Sequence, residues 1–316
     1  MRCLKNTSCD ATVSFSSMRH RLEFALVWLL VRILGAMPRP LARASAIALA
    51  QSVYLFHRRL RYVANRNLEL AFPEKTLAER QRILHGVFTS LGRHLAEICR
   101  FPKYTRENVA EVAIYDGFEN YRCARHRAKG VLFITAHLGA WELGSFVHSL
   151  HGNPLRVVVR PLDNPYLNRL VQHFRTMHGN STFEKQDFAR GLLSAMRNGE
   201  TVGILMDTNV TPPQGVFVDF FGYAACTASG LARVALRTGS AVVPAFTIWD
   251  KEQGKYRIRF DPALELIRTS DEAADVVANT AMFTKVIESY VRRYPEQWLW
   301  VHRRWKTRPE LEPPLY

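Results

Sequence analysis

An apolar run, VLFITA from Val131 to Ala136, stops at His137, and Glu142 follows five residues later with Gly139 between them. A histidine beside a carboxylate can take a proton from a hydroxyl group. The carboxylate holds one ring nitrogen as a donor and leaves the other free to accept. On one continuous helix, five residues turn through about 500°, which sets the two side chains roughly 140° apart. A strand ending at His137 and a helix starting near Glu142 can instead fold the imidazole back toward the carboxylate. The first turn of such a helix also offers unpaired N–H groups to a developing oxyanion. A histidine that merely caps a helix or fills a strand end fits the same H-x4-E spacing.

Other apolar runs also end in polar groups. LRVVVR ends at Arg160 and is followed by Asp163 and Asn164, TVGILMD ends at Asp207, and AVVPAFTIWD ends at Asp250. KYRIRF follows, and helical periodicity fills 166–177, 188–198, 228–238 and 273–294. Strands alternating with helices predict an α/β fold, with a mixed, largely parallel sheet flanked by helices. Ligands of such sheets gather at the carboxyl ends of the strands, where His137, Arg160 and Asp207 fall.

The N-terminal third reads differently. Residues 1–17 are polar and small, and Met18 is a candidate start. The apolar stretch 24–37 is shorter than the ~20 residues that span a bilayer, and Arg32 interrupts it. No small-residue cleavage site follows, so a secretory leader is not expected. A second apolar helix, 41–56, ends in a basic cluster at 57–61. Two apolar helices flanked by arginine suggest an anchor lying in one leaflet, with a transmembrane span or a buried hairpin as alternatives. Helical patterns continue to residue 100. The expected organisation is a polar extension at 1–21, a helical membrane anchor at 22–60 and one catalytic domain at 61–316.

Composition narrows the partners. Lys and Arg number 43 against 28 Asp and Glu, a net charge of +15. Nucleic acid, an anionic membrane or an acidic substrate would each account for it. No zinc-finger, RNP-like or basic-zipper pattern is present, so nucleic acid is not expected. The five cysteines are scattered without a CxxC pair, which predicts neither a disulfide framework nor structural zinc. No HExxH, GxGxxG, Walker A or GxSxG motif occurs. The run 298–306 alternates Trp with His, Arg and Lys. It fits a membrane interface, and equally a strand whose aromatics pack inward.

Several segments, taken in order, carry a family resemblance. They are NLELAFP (67–73), AHLGAWELG (136–144), RPLDNP (160–165), VDFFG (218–222) with Ala225 and Thr227, and PEQWLWVHRRWK (295–306). From about residue 22 to 309 the chain resembles the bacterial lipid A late acyltransferases, within the lysophospholipid acyltransferase superfamily. It departs from that family at Thr208 and Asn209 and in the residues before Met18.

The resemblance implies a glycerolipid acyltransferase-like fold and an O-acyltransferase that moves a fatty acyl chain from an acyl carrier protein or coenzyme A thioester to a glycolipid hydroxyl. His137 resembles the family's general base and Glu142 its partner carboxylate. Arg175 resembles an arginine of the active-site cleft, and Asp207 the acidic residue ending a later strand. Arg160 and Asn164 match a loop close to the site. Arg175 is the implied oxyanion or phosphate ligand. No metal and no cofactor are implied. The expected acceptor is a phosphorylated glycolipid, and the expected place is the cytoplasmic face of the bacterial inner membrane, whose anionic lipids the basic charge suits. Another acceptor, such as a mannosylated phosphoinositide or an aminolipid, or a non-catalytic basic membrane-binding protein, are the rival readings.

Overall fold

The computed structural model describes residues 7–127, 129–184 and 188–316. Four helices come first: α1 (Thr7–Ala36), α2 (Arg39–Phe56), α3 (Arg58–Ala71) and α4 (Leu77–Arg100). Pro38 separates α1 from α2, since proline lacks the N–H that would continue the helix. Thr76 and Glu79 form a reciprocal capping box that starts α4. The α/β part follows as β1 (Ala113–Asp116), α5 (Phe118–Arg127), β2 (Val131–Thr135), α6 (Trp141–Leu150), β3 (Arg156–Val159) and α7 (Pro165–Arg175). Next come β4 (Ser181–Glu184), α8 (Phe188–Arg197) and β5 (Thr201–Leu205). A hairpin of β6 (Gly215–Phe220) and β7 (Tyr223–Ala228) leads to α9 (Gly230–Thr238), β8 (Ala241–Asp250), β9 (Lys255–Phe260) and α10 (Glu272–Arg293).

Seven strands form one sheet in the order β1-β9-β8-β2-β5-β3-β4. Every neighbouring pair is parallel except β8 with β9. The mixed, largely parallel α/β sheet expected from the sequence is therefore present. The central strand β2 is covered on both faces, which is why VLFIT is an unbroken apolar run rather than an alternating one. The chain leaves β2 for β3 and β4 and then returns to insert β5 beside β2. Strands β1 and β4 and the β6–β7 hairpin are additions to the expected set.

The N-terminal helices do not supply a membrane span. Among the described residues, no helix is long and apolar enough to cross a bilayer. Helix α1 runs unbroken through residues 21 and 22, and α2 packs along α4. Glu97 of α4 is fully buried, where Arg39 and Arg43 of α2 pair with one of its carboxylate oxygens and Tyr104 donates to the other. Most exposed large apolar side chains of the described residues nevertheless fall between residues 18 and 56, including Leu22, Leu26, Trp28, Leu29 and Phe56.

The membrane-interface reading of 298–306 is overturned. Trp298, Trp300, Trp305 and Arg304 are all fully buried, and the segment is a series of turns rather than a strand. Each indole has an acceptor: Asp207 Oδ2 for Trp298 (2.8 Å), the Pro295 carbonyl for Trp300 (2.7 Å) and the Phe220 carbonyl for Trp305 (3.2 Å). An indole N–H supplied with an acceptor can be buried at little cost, so the aromatic area goes to the core.

Candidate active site

The site is assembled by strand register. Strands β2 and β5 are parallel neighbours with Thr135 opposite Leu205. Two residues further along each chain stand His137 and Asp207, at the carboxyl end of the sheet. The ladder continues toward them through Met206 N–H to the Thr135 carbonyl, 3.1 Å. His137 Nδ1 lies 2.9 Å from Asp207 Oδ1, and the His137 backbone N–H donates to Oδ2 at 2.8 Å. An ionised carboxylate only accepts, so Nδ1 carries the proton and Nε2 of the neutral ring is the free acceptor.

Asp207 is wholly buried and receives three N–H donors: the His137 ring, the His137 backbone and the Trp298 indole. Burial pushes its carboxyl up, but the His137 charge and hydrogen bonds outweigh that and hold it well below the usual carboxylate range. Burial pulls His137 down, and the Asp207 carboxylate overrides it, leaving the imidazole above its ordinary value.

The turn after β2 is pinned against β8. Ala140 N–H donates to the Thr247 carbonyl, and Gly139 N–H donates to the Gln297 carbonyl, both at 2.9 Å. Gly139 has φ of +64°, and a Cβ there would lie 1.9 Å from the Thr247 carbonyl oxygen. A Cβ on Gly144 would lie 2.1 Å from Thr247 Oγ1. Both glycines of AHLGAWELG are thus required by the close approach of the turn and of α6 to β8. Behind the turn, Leu299 N–H donates to the His137 carbonyl at 2.9 Å. The His302 ring sits between the carbonyls of Leu299 (2.8 Å) and Asp207 (3.0 Å). Arg304 donates to the Thr208 and Cys226 carbonyls, and burial pulls its guanidinium down to about 10. It remains a cation at neutral pH.

Glu142 does not make the expected hydrogen bond to His137. It lies in the first turn of α6, and its carboxylate takes Arg175 in a two-pronged pair, Nε to Oε1 at 3.0 Å and Nη2 to Oε1 at 2.6 Å, with Oε2 3.2 Å from Nε. The partner that orients His137 is Asp207, 70 residues away. His137, Glu142, Arg175 and Arg160 line a cavity of about 1130 Å³, with Asp207 immediately behind His137. Asn164 is not among the lining residues. It caps α7 by accepting from Tyr166 and Leu167 N–H, and its Nδ2 donates to the His20 carbonyl and to Glu23 of α1.

No local spacing connects Trp298, His302 and Arg304 to Asp207, so their place at the site is not legible in the sequence. Thr208 and Asn209 do line the cavity, and Asn209 also holds Thr307 through two hydrogen bonds. What the arrangement can do is remove a proton at Nε2 of an imidazole that lines the cavity. An arginine–carboxylate pair, Arg175 with Glu142, and the start of α6 line the same cavity.

The model of a family described as bacterial lipid A biosynthesis acyltransferase matches residues 12–307. The chain is 30% identical to a lipid A biosynthesis lauroyltransferase of Escherichia coli (strain K12), over 93% of this chain and 94% of that protein. A lipid A biosynthesis palmitoleoyltransferase of the same strain is 29% identical over 94% of this chain and 90% of its own length. A myristoyltransferase of that strain is 24% identical over 78% of this chain and 76% of its own.

Proposed function

The chain belongs to the bacterial lipid A biosynthesis acyltransferase family, and from that premise we propose that it moves a fatty acyl chain from a thioester to a hydroxyl of a lipid A precursor or a related phosphorylated glycolipid. The thioester is carried by acyl carrier protein or coenzyme A. The observation that carries the reading is the hydrogen bond from His137 Nδ1 to the buried Asp207 carboxylate at the edge of the cavity.

His137 Nε2 takes the proton from the acceptor hydroxyl as its oxygen attacks the thioester carbonyl. Asp207 stabilises the imidazolium that results. The tetrahedral oxyanion is met by the first-turn N–H groups of α6 or by Arg175. Collapse breaks the carbon–sulfur bond, and the imidazolium proton leaves with the thiolate. A thioester is already activated, so the scheme uses no protein nucleophile, metal or bound cofactor. Glu142 serves as counter-ion to Arg175 rather than as the orienting acid. Arg160, exposed at the cavity, is the candidate for a phosphate of the acceptor. Asn164 acts at a distance by fixing the start of α7.

The exposed apolar side chains of α1 and α2, together with the net charge of +15, support docking on an anionic leaflet. The cytoplasmic face of the inner membrane is the proposed place. The test is mass spectrometry of a reaction containing purified protein, acyl carrier protein thioesters and a phosphorylated lipid A precursor. A gain of one acyl chain, abolished in a folded His137→Ala variant, is the expected result. Normal turnover by that variant removes His137 as the base, and no gain at all redirects the search to other acceptors and to coenzyme A donors.

A further inference from the structure

The cavity reaches over the carboxyl edge of the sheet and is walled from both faces. Strand β2 shows the division: Val131 and Phe133 pack with α6 and α7, whereas Leu132 and Ile134 pack with α8 and α9. Glu142 of α6 lines the cavity from the first face, and Arg233 of α9 lines it from the second. Helix α9 leads into β8, whose first residue, Ala241, stands beside Val131 at the amino end of β2. The helix therefore ends at the amino edge and begins at the carboxyl edge, where His137 is.

Arg233 lies in the first turn of α9, and its side chain leans back over the helix start. Its Nε donates to Ser229 Oγ at 3.3 Å, and that buried hydroxyl donates in turn to the Gln214 carbonyl at 3.3 Å. One edge of the guanidinium is tethered in this way, and its two terminal nitrogens have no carboxylate partner among the described residues. The charges around it are unbalanced. Arg160, Arg175 and Arg233 line the cavity, and Glu142 is the one carboxylate lining it among the described residues. Glu142 is taken up by Arg175, and Asp207 by His137. Arg160 and Arg233, both exposed, are left uncompensated within the cavity.

We propose that Arg233 is a specificity-determining residue that holds a phosphate group of one of the two substrates, in addition to the phosphate site at Arg160. The inference rests on the acyltransferase reading above. A guanidinium held at Nε still offers its terminal N–H groups to phosphate oxygens, and its charge has nothing to neutralise it until an anion arrives. The phosphate has two sources with the same chemistry: a phosphate on the glycolipid acceptor, or the phosphate ester that joins the donor's thiol arm to its carrier. Arg233 is not a catalytic residue in this reading. It grips a part of the substrate away from the reacting atoms, so its contact is the same before and during transfer and acts on KM rather than on kcat.

The experiment measures kcat and KM for the full chain and for Arg233→Ala with two donors and two acceptors. The donors are an acyl carrier protein thioester and the same acyl group on phosphate-free pantetheine. The acceptors are a phosphorylated lipid A precursor and its dephosphorylated form. Arg233→Ala should raise KM for one phosphate-bearing substrate about ten-fold with kcat nearly kept, and the rise should shrink as salt is added. Arg233→Lys, which keeps the charge without the fork, should recover part of the loss. If the rise disappears with the dephosphorylated acceptor, Arg233 reads the acceptor; if it disappears with the pantetheine thioester, Arg233 reads the donor. Arg233→Gln, neutral and similar in length, serves if Arg233→Ala does not fold. Transfer by the wild type with KM unchanged in the variant, or with a rise that persists against both phosphate-free substrates, overturns the phosphate role alone. No transfer by the wild type in any pairing overturns the functional reading and the phosphate role together.

Discussion

Residues 22–56 and 298–306 both mix tryptophan, aliphatic residues and arginine, yet the first turns much of its apolar surface outward and the second buries all three of its tryptophans. Trp28 is exposed, with the Arg32 guanidinium 5.7 Å from its ring centre. Trp298, Trp300 and Trp305 each have an N–H acceptor in the interior. The difference lies in the surroundings. The closing segment lies under the carboxyl end of the sheet, where buried carbonyls and the Asp207 carboxylate need donors. The α1–α2 surface faces no further part of the described chain. A tryptophan–arginine mixture is therefore ambiguous until the partners of its polar atoms are known.

The comparison breaks most sharply at the acid that the closing segment supports. Asp207→Asn should lower kcat on the order of a thousand-fold while the fold persists by circular dichroism, because the ring loses the charge that stabilises its protonated form. The acid limb of the kcat/KM profile should move to lower pH in that variant. The signs for stability are opposite for the two partners. His137, raised when folded, contributes stability that is complete below about pH 6.5 and lost as pH climbs through its folded value. Asp207, depressed when folded, contributes stability that is present above about pH 4 and lost as pH falls toward its folded value. Urea denaturation across pH measures both.

Trp298→Phe keeps the ring and deletes one donor to Asp207. A hydrogen bond to a charged group contributes about 1.5–3 kcal/mol, so the variant should lose stability of that order in urea denaturation. Its acid limb should move up, since a carboxylate with fewer donors holds the imidazolium more tightly. Unchanged stability and an unchanged profile would reduce Trp298 to packing. The smallest effect on the folded protein is expected at the other end: Trp28→Ser should change stability by less than about 0.5 kcal/mol. Binding to anionic vesicles should nevertheless weaken about ten-fold, as judged by co-sedimentation. If vesicle binding holds while stability drops, α1 is an ordinary packed helix and the contrast between the two segments disappears.

The sequence made the sheet readable wherever a strand was long and apolar. The runs 241–250 and 255–260 match β8 and β9 residue for residue, and VLFITA and TVGILMD contain β2 and β5. The strands β1 and β4 are four residues each, too short for a pattern to separate them from loop. His137 and Asp207 were both legible as polar groups ending apolar strands. Their pairing was not, because it arises only when β5 is inserted beside β2 after β3 and β4 have been laid down. Local spacing favoured Glu142, which the geometry gives to Arg175. The buried end of the closing segment was equally illegible, since Trp298 meets Asp207 across 91 residues.

Every hydrogen bond described on the His137–Asp207 pair comes from that pair itself or from the closing segment, and none from the stretch 156–197 that supplies another part of the cavity lining. Proton handling and part of the cavity lining therefore rest on separate pieces of the chain. A lineage, or an engineer, can vary the cavity-lining side chains of 156–162 with β3, Arg175 and the reactive pair left in place, and a new substrate preference can be acquired without rebuilding the proton transfer.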